Sequence, residues 1–552
     1  MKGEGKGLKN KKIIVAMGGC ADKNHFEGRD LIPAFKELFR EVFPFSIRNI
    51  YYNYGKEELN KRLLDKIEKE KPDYLFTNVE YDEFYFDTLL KIKKLSPNTK
   101  TIVSFGDDDW RFDDHSRYYS LFFDYVLSGK KDISAYKTDG IKNIEFIAGI
   151  NPKFYRPIKV HKKYDVSFIG RPIMDRYDYI KFLKEKGINI YLFGGGWEKH
   201  PDLKKIYGGF LDSEDYVKVI NQTKINLNFS KTLFKKGIGG AIKGRVLEFP
   251  ACKSFVLTEY TPRNYRYFSK KKEINFKDKD ELLKKINYYL KNEDERERII
   301  KENYEYVLKN WIWVRNLEKY FKKIEKDKIK KIKIPKINYK VIQISKKEIK
   351  FSKQDLSNFL KDVDYVSLSD NPHSIFPHKD YFQVYSLIKS KKSISCCDYY
   401  VSSRFLGDYL LFMAKKSFNE IERGNFYDLL NINQLTITKD YFLKNLEDFR
   451  KLFNGKSIEI LNEKNTVFVS IPLIRVRDIP KKDYAMLEKS FRMKFLDKLC
   501  SIYFQKKLSF YPLYLFIIAL FGKRFIFKHI KNSLASNWNW KKLKTLRKGS
   551  LS

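Results

Sequence analysis

Short continuous apolar runs alternate with helix-length amphipathic stretches through the first 330 residues, and the alternation starts over once. "KIIVAMGG" (12–19) reads as a buried strand ending on two glycines, followed by the helix-like "LIPAFKELFREVF". "DYLFTNV", "TIVSF" and "FDYVLSG" are the next strands, with the helix "YFDTLLKIKKL" between the first two. After the Pro-bounded link "GINPKFYRP" the pattern resumes with the strand "YDVSFIG", the helix "YDYIKFLKEKG" closed by Gly187, and the strand "INIYLFGGG". The helix "DYVKVINQTK" and the strands "INLNFS" and "SFVLTEY" complete the second set. Strands apolar on both faces and separated by helices belong to parallel sheets covered on both sides. The expected fold class is therefore α/β, with two consecutive doubly wound, Rossmann-like domains at 1–155 and 156–330. Amphipathic helices from Asp280 to Lys330 close the second domain.

Two further segments follow the Lys/Ile-rich linker "KDKIKKIKIPKINYK". Residues 341–480 mix short strands and helices and form an additional α/β module. Residues 481–552 carry 17 Lys/Arg against 3 Asp/Glu and contain the uncharged run "LSFYPLYLFIIALFG". That run is too short to span a bilayer, which takes about 20 apolar residues. Flanked by Lys506, Lys507, Lys523 and Arg524, the segment 506–524 suits either an anionic membrane surface or packing on the preceding module. Trp538 and Trp540 could anchor either arrangement.

Composition narrows the class. In 552 residues, 43% hydrophobic content is enough to bury cores, so the chain is globular. The formal charge of +41 comes from lysine spread along the whole chain rather than from one basic patch, so no specific nucleic-acid partner is expected. Cys20, Cys252, Cys396, Cys397 and Cys500 make no zinc spacing and are odd in number, which fits a reducing cytoplasm. The apolar run at the N-terminus is too short for a signal-peptide core.

Three constellations carry chemistry. "GDDDWRFDDHSR" (106–117) follows a strand and so belongs at the carboxyl edge of a sheet, where open α/β sheets bind ligands. It reads as a helix cap with ion pairing to Arg111 and Arg117, as a general base with Asp108 first and Asp107 and His115 next, or as a metal site. Gly18 and Gly19 form a tight turn at the same edge, on what would be the acceptor side. In "AIKGRVLEFPACKSFVLTEY", Lys243, Gly244, Arg245 and Glu248 precede a buried strand. A glycine turn with Lys and Arg suits a diphosphate, and a nearby carboxylate suits ribose hydroxyls. An exposed basic turn with a surface glutamate has the same spacing.

The stretch "IKGRVLEFPAC...VLTEY" resembles the CgeB-like (spore maturation) glycosyltransferases, related to glycosyltransferase families 1 and 4. "YDVSFIG", "LFGGGW", "INLNFS", "KEINF" and "YYLKNEDERERI" match in the same order, and "DDDWRF" with "FDYVLSG" extends the likeness over roughly residues 70–320. The resemblance implies the GT-B architecture, two Rossmann-like domains facing across a cleft with a nucleotide-diphosphate-sugar on the second. It implies that Glu248 meets the donor ribose, that Lys243, Arg245, Arg171 and Arg176 surround the diphosphate, and that Gly194 to Gly196 let the backbone approach the nucleotide. The activity implied is hexosyl transfer to a glycan, lipid-linked or protein acceptor in surface polysaccharide, glycolipid or glycoprotein synthesis, with no cofactor or metal. It would take place in the cytoplasm or at the inner face of the membrane. Two departures stand out: Lys253 replaces the family's glycine after "PAC", and Gly240 stands where related retaining enzymes carry a second glutamate. They motivate an alternative, a non-catalytic glycan-binding or scaffold protein on the same frame. In the 341–480 module, "YVSLSDNPH" resembles the later half of a family-2 glycosyltransferase in which only Asp370 of the metal-binding pair remains.

Overall fold

The computed structural model describes residues 7–80, 83–106, 108–129, 133–141, 143–230, 244–261, 272–327, 336–369, 378–403, 407–412, 435–454 and 465–476. Lys243, Gly240, Asp107, Asp370 and the tail with its 506–524 segment lie outside them.

The first sheet contains β1 (Lys12–Met17), β2 (Glu41–Ser46), β3 (Tyr74–Asn78), β4 (Lys100–Phe105), β5 (Tyr125–Ser128) and β6 (Ile144–Glu145). The order is β2-β1-β3-β4-β5-β6, and every pairing is parallel. One expected helix is shorter than its pattern suggested. The helix ends at Leu38, and "EVFPFS" becomes β2 at the sheet edge. Pro44 lacks the N–H that a helix interior or a central strand would use, and an edge strand tolerates it.

The second sheet contains β7 (Tyr164–Ile169), β8 (Ile190–Phe193), β9 (Thr223–Asn228), β10 (Phe255–Glu259) and β11 (Asn275–Phe276), in the order β11-β10-β9-β7-β8 and again all parallel. Counted within its own domain, that order is the order of the first sheet. Each sheet therefore has a switch point beside its first strand, where the crossovers part to opposite faces and leave a crevice at the carboxyl ends. The two Rossmann-like sheets face each other across a cleft, the GT-B arrangement. Ser213, at the start of the helix Ser213–Gln222, donates to the Asn24 carbonyl at 3.1 Å and ties the second domain to the turn after β1.

The chain crosses between the domains near residue 150 and returns near 312, where Ile150 bridges Ile312. The helix Trp313–Lys326 then packs on the first sheet rather than the second. Its Phe321 lies edge-on to Phe39 and Tyr74, each at 4.9 Å, in a core shared with Ile13, Val15 and Phe35.

The remaining module is a mixed sheet of β12 (Val341–Ile344), β13 (Tyr365–Leu368), β14 (Ile394–Ser403), β15 (Gly407–Phe412), β16 (Leu435–Thr438) and β17 (Thr466–Val476). It joins the first domain through one continuous apolar core. Phe382 stacks on Phe86 at 4.7 Å and meets Tyr118 edge-on, while Lys389 pairs with Asp139 at 2.8 Å and His378 with Asp87 at 3.3 Å. Cys396 and Cys397 are buried free thiols in this sheet.

Candidate functional site

The donor side is built at the switch point of the second sheet. β7 ends at Ile169, and the loop 170–175 leads into the helix Arg176–Glu185. The Arg176 guanidinium is buried and turned back toward the strand ends, donating to the carbonyls of Arg171 (3.2 Å) and Phe229 (3.4 Å). Arg245, at the start of the helix Arg245–Ala251, donates to the Ile169 carbonyl. The two guanidiniums lie over the same Phe168 ring, at 5.7 and 5.4 Å from its centre. Among the described residues neither has a carboxylate within ion-pairing reach. Burial, then repulsion from Arg245, lowers the Arg176 pKa to about 10, with Glu259 acting in the opposite direction. Burial likewise lowers that of Arg245 against the pull of Tyr216 and Glu248. An arginine stays protonated near neutrality, and two neighbouring guanidiniums, one buried and one partly buried, that bond to carbonyls rather than to carboxylates among the described residues suit an anion.

Glu248 projects from the same short helix. Its Oε2 accepts from the Tyr216 hydroxyl at 2.5 Å. Its Oε1 turns toward Gly244, where a β-carbon would stand 2.4 Å away. Gly244 therefore makes room for this carboxylate, a more specific task than opening a turn to phosphate. Gly194 and Gly196 have φ of 106° and 102°. A β-carbon on Gly194 would meet the Gly170 carbonyl oxygen at 2.8 Å, and one on Gly196 would meet Pro172 at 2.9 Å. These glycines let the loops after β7 and β8 close on one another. Arg171 is exposed beside them. Lys253 takes the left-handed conformation, φ 51°, that a glycine would adopt without strain, so the turn is kept despite the replacement.

Of the first-domain residues, Gly18 and Gly19 are buried in the turn after β1, against Arg48 and His25, and Asp108 and His115 are enclosed. Asp108 is 1% exposed, and its Oδ2 accepts from Ser128 Oγ and the Tyr136 hydroxyl, each at 2.6 Å. It thereby ties the helical segment after β4 to the end of β5. His115 is also 1% exposed, edge-on to Phe105 and tilted on Tyr119 at 4.8 Å. Arg117 pairs with Asp139 at 2.6 Å and Asp113 at 3.4 Å. The Asp-rich stretch thus braces the first domain where the third module docks. Asp107 lies outside the described residues.

A group that the sequence reading missed stands at the end of β1. Gly19 closes on the His25 ring, which a β-carbon would meet at 2.2 Å. His25 Nδ1 bonds to the buried Glu27 carboxylate, and its Nε2 accepts from Arg48 Nη1 at 3.2 Å. Burial, then the Arg48 charge, holds His25 below the ordinary imidazole range. The only signal in the sequence was a histidine and a glutamate two apart behind a Gly-Gly turn.

Next to it, on the first domain, Arg29 forks onto Asp30 at 3.1 and 3.0 Å. Burial lifts the Asp30 pKa to about 6, opposed by Arg29 and reinforced by Glu248 across the cleft. A raised folded value means stability that is fully present below the ordinary 3.8 and lost as pH rises through about 6. The difference is on the order of 3 kcal/mol. From pH 5 to pH 7 the thermal midpoint of the wild type should fall relative to Asp30→Asn, as scanning calorimetry would show; parallel curves would refute it.

Residues 176–322 match the "Glycosyl transferase-like" family model. That span begins at Arg176 and includes Arg245 and Glu248. No curated protein matches the chain. Among solved structures, Anabaena Alr3699/HepE with UDP and glucose is similar at 10% identity over 57% of this chain and 100% of its own, TM-score 0.40. T4 phage BGT with UDP and Mn2+ is similar at 16% identity over 57% and 99%, TM-score 0.38. TarM is similar at 12% identity over 48% and 57%, TM-score 0.37. Likeness this distant transfers no residue roles. Among the described residues, no helix is long and apolar enough to cross a membrane, and no three His, Cys, Asp or Glu side chains converge as metal ligands.

Proposed function

We propose that this chain is a GT-B glycosyltransferase that moves a hexosyl group from a nucleotide-diphosphate donor to a hydroxyl of a glycan, lipid-linked or protein acceptor. The observation that carries the reading is the pair of neighbouring guanidiniums, Arg176 and Arg245, beside the oriented carboxylate of Glu248. The family match over 176–322 supports it.

In this reading Arg245 and Arg176, joined by Arg171 and by Lys243, which precedes Gly244 in the sequence, bind the diphosphate. Glu248 accepts from the ribose hydroxyls. The acceptor oxygen bonds to the anomeric carbon as the bond from that carbon to the diphosphate oxygen breaks. The departing negative charge develops against the two guanidiniums, which are in place before the reaction begins. We place the base at His25 rather than at Asp108 or His115, because His25 is partly exposed at the cleft and the other two are 1% exposed. With Glu27 accepting from Nδ1–H, Nε2 holds the lone pair that takes the acceptor proton once the acceptor hydroxyl replaces Arg48 Nη1, which donates to it at 3.2 Å in this structure. Asp108 and His115 then position the first domain's helical segment. The proposal divides the chain at 1–155 and 156–330, with the helix Trp313–Lys326 returning to pack on the first domain. It sets the reaction in the cytoplasm, consistent with the buried free thiols, and leaves 506–524 to hold the enzyme at an anionic membrane surface.

Titration with UDP-, GDP- and dTDP-sugars tests the reading. The wild type should bind one of them, and Glu248→Ala should weaken that binding about 10- to 100-fold, as expected for hydrogen bonds to a charged acceptor. Turnover of the bound donor separates an enzyme from a glycan-binding scaffold. Failure of the wild type to bind all three, or equal binding by Glu248→Ala, would overturn the assignment.

A further inference from the structure

Glu248 is not isolated in its domain. The helix Ser213–Gln222 touches it with one residue and the first domain with another: Tyr216 donates to Glu248 Oε2, while Ser213 donates to the Asn24 carbonyl one turn away. The Tyr216 ring meets Tyr155 edge-on, at 6.5 Å and 78°. Tyr155 is 1% exposed and belongs to the link by which the chain passes from the first domain to the second. Its hydroxyl accepts from Arg29 and steadies the Asp30 carboxylate. Arg29 lies over both Phe154 (4.5 Å) and Tyr155 (5.0 Å), and its carbonyl accepts from Asn151 Nδ2 at 2.9 Å. A partly buried chain of contacts thus runs from the carboxylate assigned to the donor, through two tyrosines, to the interdomain link and the first domain.

We propose that Tyr216 and Tyr155 are positioning residues that couple engagement of a nucleotide's ribose by Glu248 to the angle between the two domains. The proposal rests on the ribose reading of Glu248. When the ribose hydroxyls donate to that carboxylate, its charge is shared among more donors, and the Tyr216 hydroxyl is held less tightly. The Tyr216 ring then shifts against Tyr155, and Tyr155 cannot move without changing the grip of Arg29 on the link. Close packing makes such a contact respond by switching between arrangements rather than by soft deformation. Tyr155 has no part in the chemistry. Its effect on the nucleotide passes through Glu248.

A double-mutant cycle tests this, using whichever of UDP, GDP or dTDP the wild type binds most tightly. Dissociation constants are measured by calorimetry for the wild type, Tyr155→Phe, Glu248→Gln and the double variant. Coupled residues of one network depart from additivity, so Tyr155→Phe should weaken binding about threefold or more in the wild type and hardly at all beside Glu248→Gln. Small-angle scattering should show a nucleotide-dependent change in radius of gyration in the wild type that is lost in Tyr155→Phe. Equal weakening in both backgrounds, with the scattering change retained, would overturn the coupling, since a merely structural Tyr155 predicts that result. If the wild type binds none of the three, or Glu248→Gln binds as well as wild type, the ribose reading fails and the coupling with it. Should Tyr155→Phe not fold, Arg29→Lys carries the same cycle from the far end of the chain of contacts, keeping the charge while losing the fork.

Discussion

Arg245→Met will lower kcat/KM by about two to three orders of magnitude, the usual loss when one fixed donor to a developing negative charge is removed. The effect should be large because Arg245 is partly buried over the Phe168 ring and has no carboxylate within ion-pairing reach among the described residues. Surface arginines of comparable charge would be screened by solvent and salt. Methionine keeps the apolar contact with Phe168 and removes one member of a like-charge pair, so the folded protein should be no less stable. The remaining cation, Arg176, should move back toward its ordinary pKa, because repulsion from Arg245 is the second cause of its depression after burial. Steady-state kinetics with the bound nucleotide-sugar, together with calorimetric titration of the free nucleoside diphosphate, gives the result. An unchanged dissociation constant for the diphosphate would show that the two guanidiniums serve only to join the loops after β7 and β9.

His25→Ala will lower kcat by about two to four orders of magnitude while leaving donor affinity within a factor of two, because a general base contributes in the transition state. The pH profile supplies a second readout. A base must be unprotonated to act, so the wild-type rate should rise through the pKa of His25. That limb should lie below the ordinary imidazole value of 6.5, since burial and Arg48 both disfavour the charged ring. The acid limb should vanish in His25→Ala. Glu27→Gln should keep the acid limb at a shifted position, because the amide preserves the contact with Nδ1 but loses the charge. A loss of donor affinity equal to the loss in rate would assign His25 to binding instead.

The two sheets were legible because strands buried on both faces are mostly apolar, and seven of the strands (β1, β3, β4, β5, β7, β8 and β10) are written that way, while β9, "TKINLN", alternates and buries Asn226 and Asn228 through hydrogen bonds. β2 was not legible, since "EVFPFS" continues the apolar spacing of the helix before it and only its position at the sheet edge explains Pro44. Glu248 and Arg245 could be singled out because their chemistry is local, three residues apart on one short helix. The Asp-rich stretch shows the opposite case. Its composition suited a metal site, a base or a cap equally, and the distinction turned on Ser128 and Tyr136, which are 20 and 28 residues from Asp108. His25 was invisible for the same reason: its partner Arg48 lies on the far side of β2 in sequence.

The sequence by itself determined the α/β class, the number of parallel sheets and the residue types available for an anion and a ribose, because these follow from periodicity and local spacing. The tertiary structure alone decided which guanidiniums bond to carbonyls rather than to carboxylates among the described residues, which carboxylates are sealed into the interior, and which tyrosine lies in the link between domains. Those properties depend on desolvation and on contacts such as Arg29 with Tyr155, 126 residues apart. No local pattern encodes a contact that only the closing of two sheets brings about.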